Sequence, residues 1–154
     1  MPTYLSNELA GTLDGKTLAA PSGTRTRGNV VNARLKRYRA TITLAGQLNG
    51  DQIQLCILPP GATFAFGLIT ASVSLGSANF AVGPIGALTR YRGASPMTQV
   101  DWPNLFGAAA VAGAAVAGAA DALAAEEPIF GTISGANLPA AGTLVVDLFV
   151  SQAT

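Results

Sequence analysis

Histidine is absent from this 154-residue chain, and Cys56 is its only cysteine. Without histidine, Ser/His/Asp and Cys/His nucleophilic arrangements cannot be assembled, and Cys/His zinc sites are excluded with them. One cysteine cannot close an intramolecular disulfide. Cys56 lies in the apolar run Ile53-Gln54-Leu55-Cys56-Ile57-Leu58, which reads as a small buried hydrophobe rather than a nucleophile. Charge is also scarce: 11% of residues are charged and 49% apolar, against about 25% charged in an average soluble domain. A free monomer with so little charge is poorly protected against association, which points to a surface covered by partners.

Other absences narrow the chemistry further. No glycine-rich loop leads into a helix with a Lys-Ser or Lys-Thr pair, so there is no phosphate-binding loop. Carboxylates are few. Glu126 and Glu127 are adjacent and would point to different faces of a regular element, a poor acid/base pair and more simply a solvated break. Asp147 stands in a strand pattern with no partner visible in the sequence. The expectation is a protein without catalytic residues, cofactor or metal, and not an enzyme. The polar start, Met1-Pro2-Thr3-Tyr4-Leu5-Ser6-Asn7-Glu8, has no basic or apolar stretch of a signal peptide, so synthesis in a cytoplasm is expected.

The charge that is present is unevenly placed. Lys16, Arg25, Arg27, Arg34, Lys36, Arg37 and Arg39 fall in the first 39 residues with only Glu8 and Asp14. Arg90 and Arg92 face six carboxylates in the remainder. A basic arm on an acidic body suits reaching a neighbour. Residues 1–37 are rich in Gly, Thr, Ser, Asn and Pro without apolar periodicity, and read as an extended N-terminal arm.

From Tyr38 to residue 154 the pattern is that of a β body. Tyr38, Ala40, Ile42 and Leu44 alternate on one face, with Arg37 and Arg39 on the other. Asn49-Gly50-Asp51 is a turn, and Gln52 to Leu58 a strand with Ile53, Leu55 and Ile57 on a shared face. Pro59-Pro60-Gly61 ends it. Ala62 to Leu75 is a long β-prone run in which Gly67 marks a bulge or a close backbone contact. Ala78 to Val82 is a short strand closed by Gly83-Pro84, with another expected in Ile85 to Arg92. Residues 93–106 look irregular. Ile129 to Ile133 is a strand. Thr143 to Val150 is the clearest one, with Leu144, Val146, Leu148 and Val150 on one side and Val145, Asp147 and Phe149 on the other.

One low-complexity insertion, about residues 105–125, is made of Ala, Gly and Val. Alanine favours helix, but Gly107, Gly113 and Gly118 each cost about 1 kcal/mol there, so a helix or a long loop is expected. Its uncharged part, Leu105 to Ala120, falls short of the roughly 20 apolar residues of a membrane span. Short strands, frequent turns and one long loop sum to an all-β, antiparallel β-sandwich, jelly-roll-like. The cluster Arg34, Lys36, Arg37 and Arg39 could meet phosphate, and Tyr38 a base. Alternation splits it between two faces, so an acidic protein partner is the expectation, without nucleic acid or membrane.

The middle of the chain resembles a known family. Gly50-Asp51-Gln52-Ile53-Gln54-Leu55-Cys56-Ile57-Leu58-Pro59-Pro60-Gly61-Ala62, then Leu75-Gly76-Ser77-Ala78-Asn79-Phe80-Ala81-Val82-Gly83, resembles small structural proteins of tailed bacteriophages encoded near the head genes. Glu126-Glu127, Gly135-Ala136 and Ala141-Gly142-Thr143-Leu144 extend the likeness to the C-terminal part. The resemblance covers about residues 38–92 and 126–150. The arm and the Ala/Gly insertion depart from it. It implies a capsid decoration, or cement, protein: a β-sandwich on the exterior of the virion, bound to the major capsid protein and to neighbouring copies of itself, as a homo-oligomer such as a trimer. It carries over no catalytic residue. Arg25, Arg27, Arg34, Lys36, Arg37 and Arg39 are the expected capsid-interface residues. The alternatives are another virion component, such as a head fibre, tail or minor capsid protein, or a β-sandwich receptor or carbohydrate-binding module. Such a module would want exposed aromatics, yet Trp102 is the only tryptophan and stands beside Pro103 in an expected loop.

Overall fold

A computed structural model describes residues 34–107 and 122–152. Of the expected arm, residues 1–33, with Arg25 and Arg27, lie outside the described residues, as does most of the Ala/Gly insertion, while residues 34–37 belong to the first strand. The eight strands are β1 (Arg34–Thr43), β2 (Gln52–Leu58), β3 (Ala62–Ala71), β4 (Asn79–Pro84), β5 (Arg92–Pro96), β6 (Asn104–Phe106), β7 (Glu127–Ser134) and β8 (Thr143–Gln152). They form two four-stranded sheets, ordered β1-β8-β3-β6 and β2-β7-β4-β5.

The pairing is nested: β1 with β8, β2 with β7, β3 with β6 and β4 with β5, all antiparallel. Such a chain is one long hairpin whose doubled strands wrap into a sandwich. The wrapping adds β3·β8 and β4·β7, also antiparallel. The expected antiparallel sandwich is therefore present, with the eight strands of a jelly roll.

The core lies between the sheets. Leu144, Val146, Leu148 and Val150 of β8 are buried to 1% exposure or less. They meet Ile42 from β1, Phe64 and Ile69 from β3, Phe80 and Val82 from β4, and Ile129 and Ile133 from β7. Burying four such side chains contributes about 6–12 kcal/mol before conformational entropy is counted. That is comparable with the whole net stability of a typical domain.

Several local expectations change. In β2 the register slips between Gln54 and Cys56, so Leu55 is the extra residue of a bulge. The bulge reverses the alternation: Ile53 and Leu55 pack on the core, Leu58 is fully buried, and Ile57 turns outward at 49% exposure. In β3 the slip falls between Phe64 and Phe66, not at Gly67. Phe64 consequently points inward and Phe66 outward, although they are two residues apart. Gly67 makes a close contact instead, since a Cβ there would lie 2.1 Å from the Phe106 ring.

The strand expected from Ala78 to Val82 begins at Asn79 and runs through Gly83-Pro84, and the strand expected in residues 85–92 is mostly a turn followed by β5. Residues 93–106 are not wholly irregular, because they carry most of β5 and all of β6. Glu127 is not in a solvated loop but opens β7. Its carboxylate receives hydrogen bonds from Arg90, at 2.8 Å, and from the Tyr91 hydroxyl.

Candidate docking surface

Strand pairing brings together residues far apart in sequence on the outer face of the β1-β8-β3-β6 sheet. One row across the strands reads Arg39, Asp147, Leu68, Leu105. The next reads Arg37, Phe149, Phe66. Phe66 and Phe149 stack with centroids 4.6 Å apart and planes 18° from parallel. Leu105 is 57% exposed. The face thus grades from cations on β1 to apolar side chains on β3 and β6.

Asp147 is the hinge of this gradient. It sits on the outer face yet is only 7% exposed. Arg39 donates to both its carboxylate oxygens, Nε to Oδ1 at 2.8 Å and Nη2 to Oδ2 at 2.7 Å. Arg37 approaches loosely, its Nε 3.9 Å from Oδ1. The hydrogen bond from Arg39 holds the Asp147 carboxyl below its ordinary pKa, against the opposing effect of burial. The aspartate that had no visible partner in the sequence has one supplied across 108 residues of chain.

The structure divides the six basic candidates. Arg25 and Arg27 lie outside the described residues. Arg34 and Lys36 fall in register with Gln152 and Val150, on the opposite side of β1 from Arg37 and Arg39. Lys36 Nζ donates to Gln152 Oε1 at 2.7 Å. Arg37 and Arg39 share the outer face, where Arg39 is held by Asp147 and the Arg37 side chain remains 53% exposed. The apolar half of the face, Phe66, Leu68, Leu105 and Phe149, was not singled out from the sequence. The outward turn of Phe66 follows from the bulge at Ala65, and β6 is too short to show a pattern.

Among the described residues there is no cluster of three His, Cys, Asp or Glu suited to a metal ion. Burial raises the Cys56 thiol to about 11. Arg92, 5% exposed, donates to the backbone carbonyls of Phe80 and Ser95, the latter at 3.2 Å, and so ties β4 to β5. Among the described residues no helix is long and apolar enough to cross a membrane.

Strand order and nested pairing define an eight-stranded jelly-roll sandwich with one partly apolar, partly cationic sheet face. No protein-family model matches the sequence, and no curated protein matches it. Solved structures do share the fold. A chain in the capsid of Ralstonia phage GP4 is similar with a TM-score of 0.59 at 18% identity, over 79% of this chain and 86% of that one. A chain in the cyanophage Pam1 capsid asymmetric unit gives 0.60 at 14% identity, over 79% and 86%. A chain in the acid-stable capsid of Helicobacter pylori bacteriophage KHP30 gives 0.56 at 11% identity, over 78% and 89%.

Proposed function

We propose that this chain is a structural protein of a phage virion that binds the outside of the major capsid shell and stabilises it, a decoration or cement protein. The observation that carries this reading is the mutual coverage of the matches. The shared jelly roll accounts for most of this chain and for most of each of the three capsid chains. Composition agrees. A chain with 11% charged residues gains by burying apolar surface between neighbours, as a lattice-bound protein does.

The basic residues Arg25, Arg27, Arg34, Lys36, Arg37 and Arg39 are the proposed contacts to acidic or polar shell surface. An arm that orders on that surface lengthens the contact at a cost in chain entropy. Copy number in purified particles, by quantitative gel or mass spectrometry against the major shell protein, tests the proposal. A count comparable to the shell protein is expected. A handful of copies or none overturns it in favour of a fibre, a receptor-binding part or a protein outside the virion.

A further inference from the structure

We infer that the chain meets the capsid shell through the outer face of the β1-β8-β3-β6 sheet, and that the shell surface there carries carboxylate groups beside an apolar patch. This rests on the decoration reading and assigns it a face. Four side chains, Phe66, Leu68, Leu105 and Phe149, form the apolar half of that face through the register of β3, β6 and β8. Leu105 keeps 57% of its surface exposed. The Phe66–Phe149 pair, already stacked at 4.6 Å, offers aromatic area of the kind that anchors interfaces.

Charge complementarity selects the occupant. β1 carries Arg34, Lys36, Arg37 and Arg39 and no carboxylate. The carboxylate of its pairing partner, Asp147, is taken at both oxygens by Arg39. Arg37, with 53% of its side chain exposed, is therefore a cation facing outward beside an aromatic pair. Because a two-fold interface uses one patch twice, a second copy docking through the same face would bring more cations, while the one carboxylate within the described strands of that sheet, Asp147, is already committed to Arg39. A different protein surface with its own acids fits both halves of the gradient.

The test uses the full chain and phage heads assembled without it. Occupancy is titrated for the wild type, for Arg37→Glu, for Leu105→Ser, and for Ile57→Ser on the other sheet. All three positions are about half exposed, and circular dichroism with thermal melts checks folding. Arg37→Glu and Leu105→Ser, at the cationic and apolar ends of the face, are expected to weaken binding by about tenfold or more each, with Ile57→Ser unchanged. If the wild type binds and the two face variants bind equally well, the face assignment is overturned while the decoration reading stands. If the variants instead shift the oligomeric state in sedimentation and leave occupancy intact, the occupant is a second copy and the shell assignment fails. If the wild type does not bind heads, both readings fall.

Discussion

Replacing Gly131 with alanine adds one methyl group at the centre of β7 and should cost more than its size suggests. Gly131 has no left-handed φ, so alanine meets no backbone strain. The obstacle is Phe80. A Cβ at Gly131 would lie 2.1 Å from the Phe80 Cζ and 2.7 Å from Cε1, where ordinary contact begins near 3.4 Å. The ring must retreat by more than an ångström, and Phe80 is wholly buried. Overpacking of a dense core costs about 1–3 kcal/mol, and the depth of this clash places the expected loss at about 2–3 kcal/mol. That lowers the Tm of a body this size by roughly 8–14 °C. Urea denaturation read by tryptophan fluorescence and by circular dichroism measures it, with coincidence of the two probes checking two-state behaviour. Gly93→Ala is the control: nothing lies within 4 Å of a Cβ there and φ is ordinary. It should be neutral or stabilising by up to about 1 kcal/mol. A Gly131→Ala protein within about 0.5 kcal/mol of wild type would refute the reasoning, since the ring would then be free to move.

Three further outcomes follow from the buried polar groups. With its pKa raised by burial from 9.0 to about 11, Cys56 should alkylate about a hundredfold more slowly at pH 8 in the folded protein than in urea, measured with iodoacetamide; equal rates would contradict its packing. Asp147 has a depressed pKa in the folded chain, so its contribution is full above about pH 4 and is lost as pH falls through the folded value. Urea midpoints of wild type and Asp147→Asn should therefore differ at pH 7 and converge toward pH 2. The Tyr91 hydroxyl is pushed upward by burial first and by its bond to Glu127 second. Of the three tyrosines, it should resist ionisation in an ultraviolet titration until the protein unfolds, and Glu127→Gln should bring it down only part of the way.

The faces of β1 and β8 were legible because unbroken alternation over eight or more residues has one interpretation. Tyr38, Ala40, Ile42 and Leu44 point inward, and so do Leu144, Val146, Leu148 and Val150. A bulge inserts one residue without changing composition, so the outward turns of Ile57 and Phe66 left no trace in the pattern. β5, with the sequence Arg-Gly-Ala-Ser-Pro, is an edge strand held by backbone pairing to β4 and by the buried Arg92. It has no apolar face to betray it. The basic half of the candidate surface was visible as composition. Its apolar half, and the Arg39–Asp147 pair, exist only because β8 lies between β1 and β3. Pairing across more than a hundred residues is a property of topology, which local patterns do not encode.

The central position of β8 also governs how the body comes into being. Sheet β1-β8-β3-β6 has the most C-terminal of the described strands in its interior, hydrogen-bonded on both sides. Until that strand leaves the ribosome, β1 and β3 have no common neighbour, and the side chains meant for the core face water. Of the nested pairs, only β4 with β5 is close in sequence, and pairings between distant segments form slowly. The sheet is thus closed by the ten residues of β8, which supply the neighbour that β1 and β3 share. A chain cut before Thr143 would not be a slightly shortened sandwich. It would be one with its hydrophobic interior split open along two edges, exposed to aggregation.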